Sequence, residues 1–339
     1  MKLLIDISHI MVWTGNLTGI ERAEYHIIRH YFEATDADFV TWNDEAGVFQ
    51  LIPRDQVEKA IIQRTSEAEQ RDAGLAGVKA TLLHRAKRKL KRSASPQLEL
   101  PEGILLVLAG LWDNNNYIEA LENLSQNHKL LHIVYDMIPL SKRGFVVDYL
   151  PGVFSNYMYR ILPKCQAVLA ISESTAKDIK DVLKAQNLRV PEIVTFRLGD
   201  EISRASTAVR PAAAKDDFIL SVGTIEARKN HQLLYYAYKQ MAADKQPLPQ
   251  LVIAGKRGWL TSDFQHLVEH DPDINKLITI IDKATDSELR WLYENALFTV
   301  FPSFYEGWGL PVAESLNYGK VTLASNTSSM PEIGGKFAD

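Results

Sequence analysis

Phe301-Pro302-Ser303-Phe304-Tyr305-Glu306-Gly307-Trp308-Gly309-Leu310-Pro311-Val312-Ala313-Glu314-Ser315-Leu316 decides how this chain of 339 residues folds. The stretch leaves a short apolar run, Phe298 to Phe301, that reads as a buried strand. It then passes through glycines into a helical segment carrying Val312 and Leu316. In an open α/β sheet such a turn, at a strand's carboxyl end, lines the ligand crevice. Gly307 and Gly309 permit close approach of backbone to a ligand, and Pro311 suits the first helical position. The N–H groups around Gly309 to Val312 then face the crevice, where a helix amino terminus favours an anion; a diphosphate fits. Glu306 and Glu314 flank the turn, so both carboxylates can accept hydrogen bonds from sugar or ribose hydroxyls of one ligand. Glu314 reads equally as a residue compensating the helix dipole. For Glu306, between aromatic and glycine residues, the sequence suggests no structural task.

Outward from this unit, apolar runs rich in branched residues recur at helix-length intervals. Leu3 to Ile7, Ile104 to Leu108, Leu130 to Val134, Ala167 to Ile171 and Ile193 to Phe196 form one series. Phe218 to Val222, Leu251 to Ala254, Ile278 to Ile281, Phe298 to Phe301 and Val321 to Ala324 form a second. Strand alternating with helix, twice over, implies an α/β protein of two doubly wound halves. Between them Arg204 to Ala214 is small-residue-rich with a proline, as linkers are. Thr285 to Glu288 has capping-box spacing, and Leu289, Leu292, Tyr293 and Ala296 lie on one helical face that should pack on the second sheet.

Two further loops follow strands of the second series. In Val222-Gly223-Thr224-Ile225-Glu226-Ala227-Arg228-Lys229-Asn230, Arg228 and Lys229 are placed to neutralise phosphate, although an isolated pair of this kind is more often a solvated turn. Ala254-Gly255-Lys256-Arg257-Gly258-Trp259 reads as another crevice loop.

Together these elements resemble the retaining glycosyltransferases of family 4, which have the GT-B architecture. Glu306-x7-Glu314 within Phe-Tyr-Glu-Gly-Trp-Gly-Leu-Pro-Val-Ala-Glu has that family's signature spacing, and the other two loops match a bacterial polysaccharide, mannosyltransferase-like branch. The similarity runs from about Ala170 to Gly335. It implies two Rossmann-like domains facing across a cleft: an acceptor-binding domain over 1–200, a linker over 201–216 and a nucleotide-sugar-binding domain over 217–339. It further implies Arg228 and Lys229 on the donor diphosphate, Glu314 on the ribose and Glu306 on the hydroxyls of the transferred sugar. Gly223, Thr224, Lys256, Gly307, Trp308, Gly309 and Leu310 would complete the donor site. Where many relatives carry an arginine after the first glycine, this chain has Thr224, so one phosphate contact is missing or moved.

In the first half, Gly15, Asn16, Thr18 and Gly19 form a glycine loop opening a helix, with Thr18 a candidate cap; by resemblance the loop faces donor phosphates and acceptor. Its Gly-x3-Gly spacing is not the dinucleotide fingerprint, which weakens an oxidoreductase or epimerase reading. Tyr135-Asp136-Met137-Ile138-Pro139-Leu140 is similar to the branch's His-Asp-Leu-Ile-Pro-Leu element, with Tyr135 in place of histidine. Asp136 could orient the acceptor hydroxyl or act as a base, or else cap the turn before Pro139. Ser172 to Thr175 reads as a mainly structural helix cap. His26 and His30 read as an exposed helical pair, and Asp36-Ala37-Asp38 precedes a strand rather than following one; no metal and no cofactor are expected.

Composition narrows the classes. With 38 basic and 42 acidic residues, net −4, the chain has no global positive field for nucleic acid. A single cysteine, Cys165, excludes a disulfide framework. No apolar run approaches a membrane span, and Asp6 interrupts the amino-terminal apolar stretch, so a cytoplasmic protein is expected. The polar, strand-free insertion near 57–97 ends in Arg85, Lys87, Arg88, Lys89, Lys91 and Arg92. It reads as a solvated insertion or as a basic helix for peripheral contact with the anionic inner leaflet. The expected activity is retaining transfer of a hexose, mannose from GDP-mannose in the first instance, to a lipid-linked glycan in O-antigen or capsule assembly. The alternative is a non-catalytic nucleotide-sugar-binding subunit. A domain beginning at Asp217 is short for this architecture, and a truncated second half is expected.

Overall fold

A computed structural model describes residues 2–13, 19–34, 37–62, 100–199 and 207–335. The loop residues Gly15, Asn16 and Thr18, the linker residues 201–206 and the basic residues Arg85 to Arg92 lie outside the described residues. By their contacts the residues form two compact units. The first holds Met1–Tyr135, Gly152–Ala170 and Ile179–Phe196, and the second Asp136–Pro151, Ile171–Asp178 and Arg197–Asp339.

The first unit is built on β1 (Lys2–Asp6), β2 (Ala37–Asn43), β3 (Val48–Ile52), β4 (Gly103–Val107), β5 (Lys129–Val134), β6 (Ala167–Ala170) and β7 (Glu192–Thr195). Their order is β3-β2-β1-β4-β5-β6-β7, parallel except for the β2–β3 pair. The second unit carries β8 (Phe218–Val222), β9 (Gln250–Ala254), β10 (Ile278–Ile281), β11 (Thr299–Phe301) and β12 (Thr322–Ala324). These run parallel in the order β10-β9-β8-β11-β12. Both orders reverse beside the first strand of the sheet, between β1 and β4 and between β8 and β11, the hallmark of double winding. All ten expected strands are present to within a residue or two. The additional β2–β3 hairpin lies at the edge of the first sheet, where Lys2 holds Asp38 at 2.5 Å.

Both faces of the second sheet are covered, so its interior strand β9 is buried along its whole length. On one face Phe218, Leu220 and Val222 pack with Leu292, Tyr293 and Val312. On the other Leu251 and Ile253 pack with Leu234, Tyr235 and Phe264. The helix Asp286–Asn295 begins with the capping box expected: Thr285 accepts from the Glu288 N–H, and the Glu288 carboxylate accepts from the Thr285 N–H at 2.9 Å. Leu292, Tyr293 and Ala296 are buried, as their spacing requires.

The segments 136–151 and 171–178, though early in the chain, associate with the second unit through particular contacts. The Phe145 and Phe304 rings stack 5.4 Å apart, Trp259 Nε1 donates to the Phe145 carbonyl at 2.9 Å, and Tyr305 donates to Asp178 at 3.0 Å. Replacing Thr285 by alanine removes the reciprocal cap and should lower stability by about 1 kcal/mol. Chemical denaturation should show a lower midpoint with an unchanged slope; an unchanged midpoint would contradict the capping assignment.

Candidate active site

The loop after β8 and the loop after β11 meet at the point where the second sheet's strand order reverses. Phe304 N donates to the Arg228 carbonyl at 2.8 Å, which fixes one loop against the other. Across this junction Arg228 Nη1 donates to Glu306 Oε2 at 2.5 Å and to the Tyr305 carbonyl at 2.6 Å, while Lys229 Nζ donates to Glu306 Oε1 at 2.6 Å. The other arm of the guanidinium pairs with Glu226. The side chains of Arg228 and Lys229 are only 14% and 12% exposed, so the solvated-turn reading of this pair does not hold. Glu306, for which the sequence suggested no task, is the shared anchor of both cations.

The electrostatics follow from this packing. Burial alone would push the Glu306 carboxyl up, but Arg228 and Lys229 bring it from its ordinary 4.5 down to about 2. Burial opposes the charge on Arg228, yet Glu306 and Glu226 hold its pKa above the usual range. Asp136 also faces this cluster. Burial raises its carboxyl above the ordinary range, against the lowering by Arg228 and by the Ile138 N–H, which it accepts at 2.9 Å. The turn-capping role foreseen for Asp136 is therefore present, and the same carboxyl lies in the field of Arg228 and Glu306. Behind Lys229, burial and that cation push the His231 imidazole down to about 3, so the ring is neutral; its Nδ1 has no hydrogen-bond partner among the described residues.

Backbone approach explains the glycines. A Cβ on Gly255 would stand 1.9 Å from the Gly223 carbonyl oxygen, and one on Gly258 would stand 2.8 Å from that of Ile225. Ile225 N donates to Lys256 O and Gly258 N to Ile225 O, each at 2.8 Å, so the loops after β8 and β9 are zipped together. Gly255 and Gly258 thus serve loop-to-loop packing rather than ligand approach. Thr224 and Lys256 are half-buried in this paired region. Gly309 has φ +116°, a left-handed conformation that turns the chain into the helix Leu310–Asn317; Leu310 is the first helical residue and Pro311 the second, one place later than its spacing suggested.

Gly307, Trp308 and Glu314 are buried. Glu314 lies in the second turn, away from the first-turn place where it would compensate the dipole, and accepts from the Tyr293 hydroxyl at 2.8 Å. Ser172 Oγ donates to the Gly307 carbonyl at 2.7 Å, and Ser329 donates to the carbonyls of Glu306 and Trp308. Ser172 also caps the helix Glu173–Ala185 by accepting from Thr175 N at 2.9 Å, while the Glu332 carboxylate accepts from Glu173 N and Ser174 N, each at 2.8 Å. Tyr135 is in the other unit, buried at the end of β5, and Gly19 opens the helix Ile20–Ala34 with φ +54°. Sequence reasoning missed Glu226, His231 and Ser329 as parts of the site and read Ser172 only as a helix cap. Of the three missed, Glu226 alone carried a signal, an acid two places before the arginine.

A carboxylate held lower in the fold than in the unfolded chain stabilises the fold above its unfolded pKa, and that stabilisation is lost as pH falls toward the folded value. Glu306 should therefore contribute acid sensitivity between about pH 4.5 and pH 2. Stability measured across that window should fall more steeply for the wild type than for Glu306→Gln; parallel curves would contradict the assigned ion pairs.

Residues 204–338 match the family model described as glycosyl transferases group 1. The chain is 30% identical over 200 residues to O-antigen chain mannosyltransferase B of Escherichia coli, covering 56% of this chain and 51% of that protein. It is also 30% identical over 218 residues to the serotype-specific mannosyltransferase WbdA of Escherichia coli, covering 61% of this chain and 26% of that protein. The chain thus spans about half of the first relative's length and about a quarter of the second's. In structure it is similar to Anabaena Alr3699/HepE, crystallised in complex with UDP and glucose, at TM-score 0.58 and 14% identity over 98% of this chain and 82% of that one. With two doubly wound sheets and this likeness the fold is GT-B; over residues 204–338 the chain is similar to the glycosyl transferases group 1, and over somewhat more than half its length to bacterial O-antigen mannosyltransferases.

Proposed function

We propose that the chain is a retaining glycosyltransferase that moves a hexose, mannose from GDP-mannose, from a nucleotide diphosphate sugar to a hydroxyl of a lipid-linked glycan in O-antigen or capsule assembly. The observation that carries this reading is the buried cluster of Arg228, Lys229 and Glu306 at the reversal point of the second sheet. Mannose and the polysaccharide acceptor are supported by the names of the relatives, which are O-antigen mannosyltransferases. The enzyme would work in the cytoplasm against the inner face of the cell membrane, where Arg85, Lys87, Arg88, Lys89, Lys91 and Arg92 would meet anionic lipid. Among the described residues no helix is long and apolar enough to cross a membrane.

In this reading an arriving diphosphate competes with Glu306 for the donors of Arg228 and Lys229. Both cations are already desolvated and aimed, so little reorganisation is needed when charge grows on the departing phosphate. The Glu306 carboxylate, released from its partners, accepts hydrogen bonds from the sugar hydroxyls. The anomeric carbon's bond to the phosphate oxygen breaks and a bond to the acceptor oxygen forms on the same face. Asp136, made more basic by burial, orients the acceptor hydroxyl or takes its proton. Glu314 would receive the ribose hydroxyls beside its Tyr293 contact. The residues considered require no metal ion and no cofactor for this chemistry.

Alanine at Arg228 or Lys229 should lower turnover by roughly 10²–10³-fold, read as GDP release from GDP-mannose across a panel of nucleotide sugars. Glu306→Ala should fall comparably; wild-type transfer by that variant would overturn the site. Donor binding with neither hydrolysis nor transfer would instead identify a non-catalytic subunit.

A further inference from the structure

The first unit carries its own cluster of ionisable side chains, which the donor site does not use. It lies beyond the carboxyl end of β1, the strand at which the first sheet's order reverses, and so occupies that sheet's crevice position. His9 follows β1 in the short helix Ser8–Val12, and Glu24 projects from the helix Ile20–Ala34. His9 Nδ1 stands 2.6 Å from Glu24 Oε2. With Glu24 ionised, Nδ1 carries the ring proton and donates to Oε2, which leaves Nε2 pointing elsewhere. Glu24 is 0% exposed, and its second oxygen, Oε1, has no hydrogen-bond partner among the described residues. The His9 side chain is 24% exposed, and among the described residues Nε2 has no hydrogen-bond partner. A buried carboxylate thus aims a ring whose second nitrogen remains available to a ligand, the relation by which one group orients another at reactive centres.

The surroundings select the ligand's chemistry. Asp6, Glu21 and Glu24 all act on His9, and burial together with Glu24 and Glu21 holds the Tyr135 phenol well above its ordinary range. Three carboxyl groups around one imidazole oppose a phosphate. A neutral ring offers Nε2 as an acceptor and a charged ring offers it as a donor. A hydroxyl matches both states, and a carbonyl or an ammonium matches only one. Resting on the glycosyltransferase reading above, we propose that His9, aimed by Glu24, is the recognition point for a hydroxyl of the neutral glycan acceptor. His9 is a binding residue in this account and Glu24 a positioning residue that acts through it.

The test uses the full chain with isotope-labelled histidine, titrated with octyl α-D-mannopyranoside and, separately, with inorganic phosphate. The His9 resonance is assigned by its loss in His9→Gln, and GDP release from GDP-mannose is read on the same preparations. The His9 resonance should shift saturably with the glycoside and not with phosphate. His9→Gln and Glu24→Gln should each weaken glycoside binding about tenfold or more. His9→Gln alters a partly exposed side chain, so the test stands even if Glu24→Gln fails to fold. A stationary His9 resonance, a shift with phosphate alone, or unchanged glycoside affinity in His9→Gln overturns the proposal. Loss of GDP release in the wild type overturns the donor reading instead, and the His9 titration is still read.

Discussion

Two cations, Arg228 and Lys229, and three carboxyl groups, Glu226, Glu306 and Asp136, share a region of the second unit from which water is largely excluded. Charges so placed are costly unless each meets an opposite charge at short range, and removing one partner leaves the other buried and unmatched. Glu306 meets this constraint by bridging both cations, with Glu226 taking the second arm of the guanidinium. With Asp136 protonated the group is neutral, and with Asp136 ionised it carries one net negative charge. Burial favours the protonated form and Arg228 opposes it, which ties the state of Asp136 to the cation beside it. In the proposed reading, an entering diphosphate brings the negative charge that Glu306 supplies in its absence.

The backbone exists in this form to hold that cluster. Gly255 lets the loop after β9 lie against the loop after β8, which fixes the strand end from which Arg228 and Lys229 project. Gly309 turns the chain after Glu306 into a helix whose Ser315 bonds with Thr299 of β11 and Thr322 of β12 at 2.6 and 2.8 Å. Those hydroxyls satisfy one another in a dry interface. The same helix delivers Glu314 to Tyr293, a residue positioned by the Thr285 cap of its own helix. Local rules and the site's geometry are therefore linked through a few side chains.

Strand after strand was legible because a parallel sheet buried on both faces demands continuous branched apolar runs, as in Leu251 to Ala254. The Thr285 cap was legible because its two partners are three residues apart. The β2–β3 hairpin was not legible, since Thr41 and Asn43 of β2 and Gln50 of the edge strand β3 interrupt its apolar runs. The association of segments 136–151 and 171–178 with the second unit was hidden as well. It depends on Phe145 meeting Phe304 and Asp178 meeting Tyr305, pairs separated by well over a hundred residues that no periodicity connects. In the site, the residue types and order of Glu306, Arg228 and Lys229 were legible, but their mutual ion pairing was not, because pairing depends on how two loops approach. His9 and Glu24 carried no signal of their own: a lone histidine after a strand and a glutamate in an amphipathic helix become a pair only when the sheet sets the helix beside the strand.

The central claim is that the cations gathered by Glu306 form an anion site. Calorimetric titration of GDP into the wild type and into Lys229→Gln tests it most directly, because it reads phosphate recognition without transfer. Binding in the wild type that weakens about tenfold or more in the variant, and that weakens in both as salt is raised, is the expected result. Equal affinity for GDP in the two proteins would contradict the account.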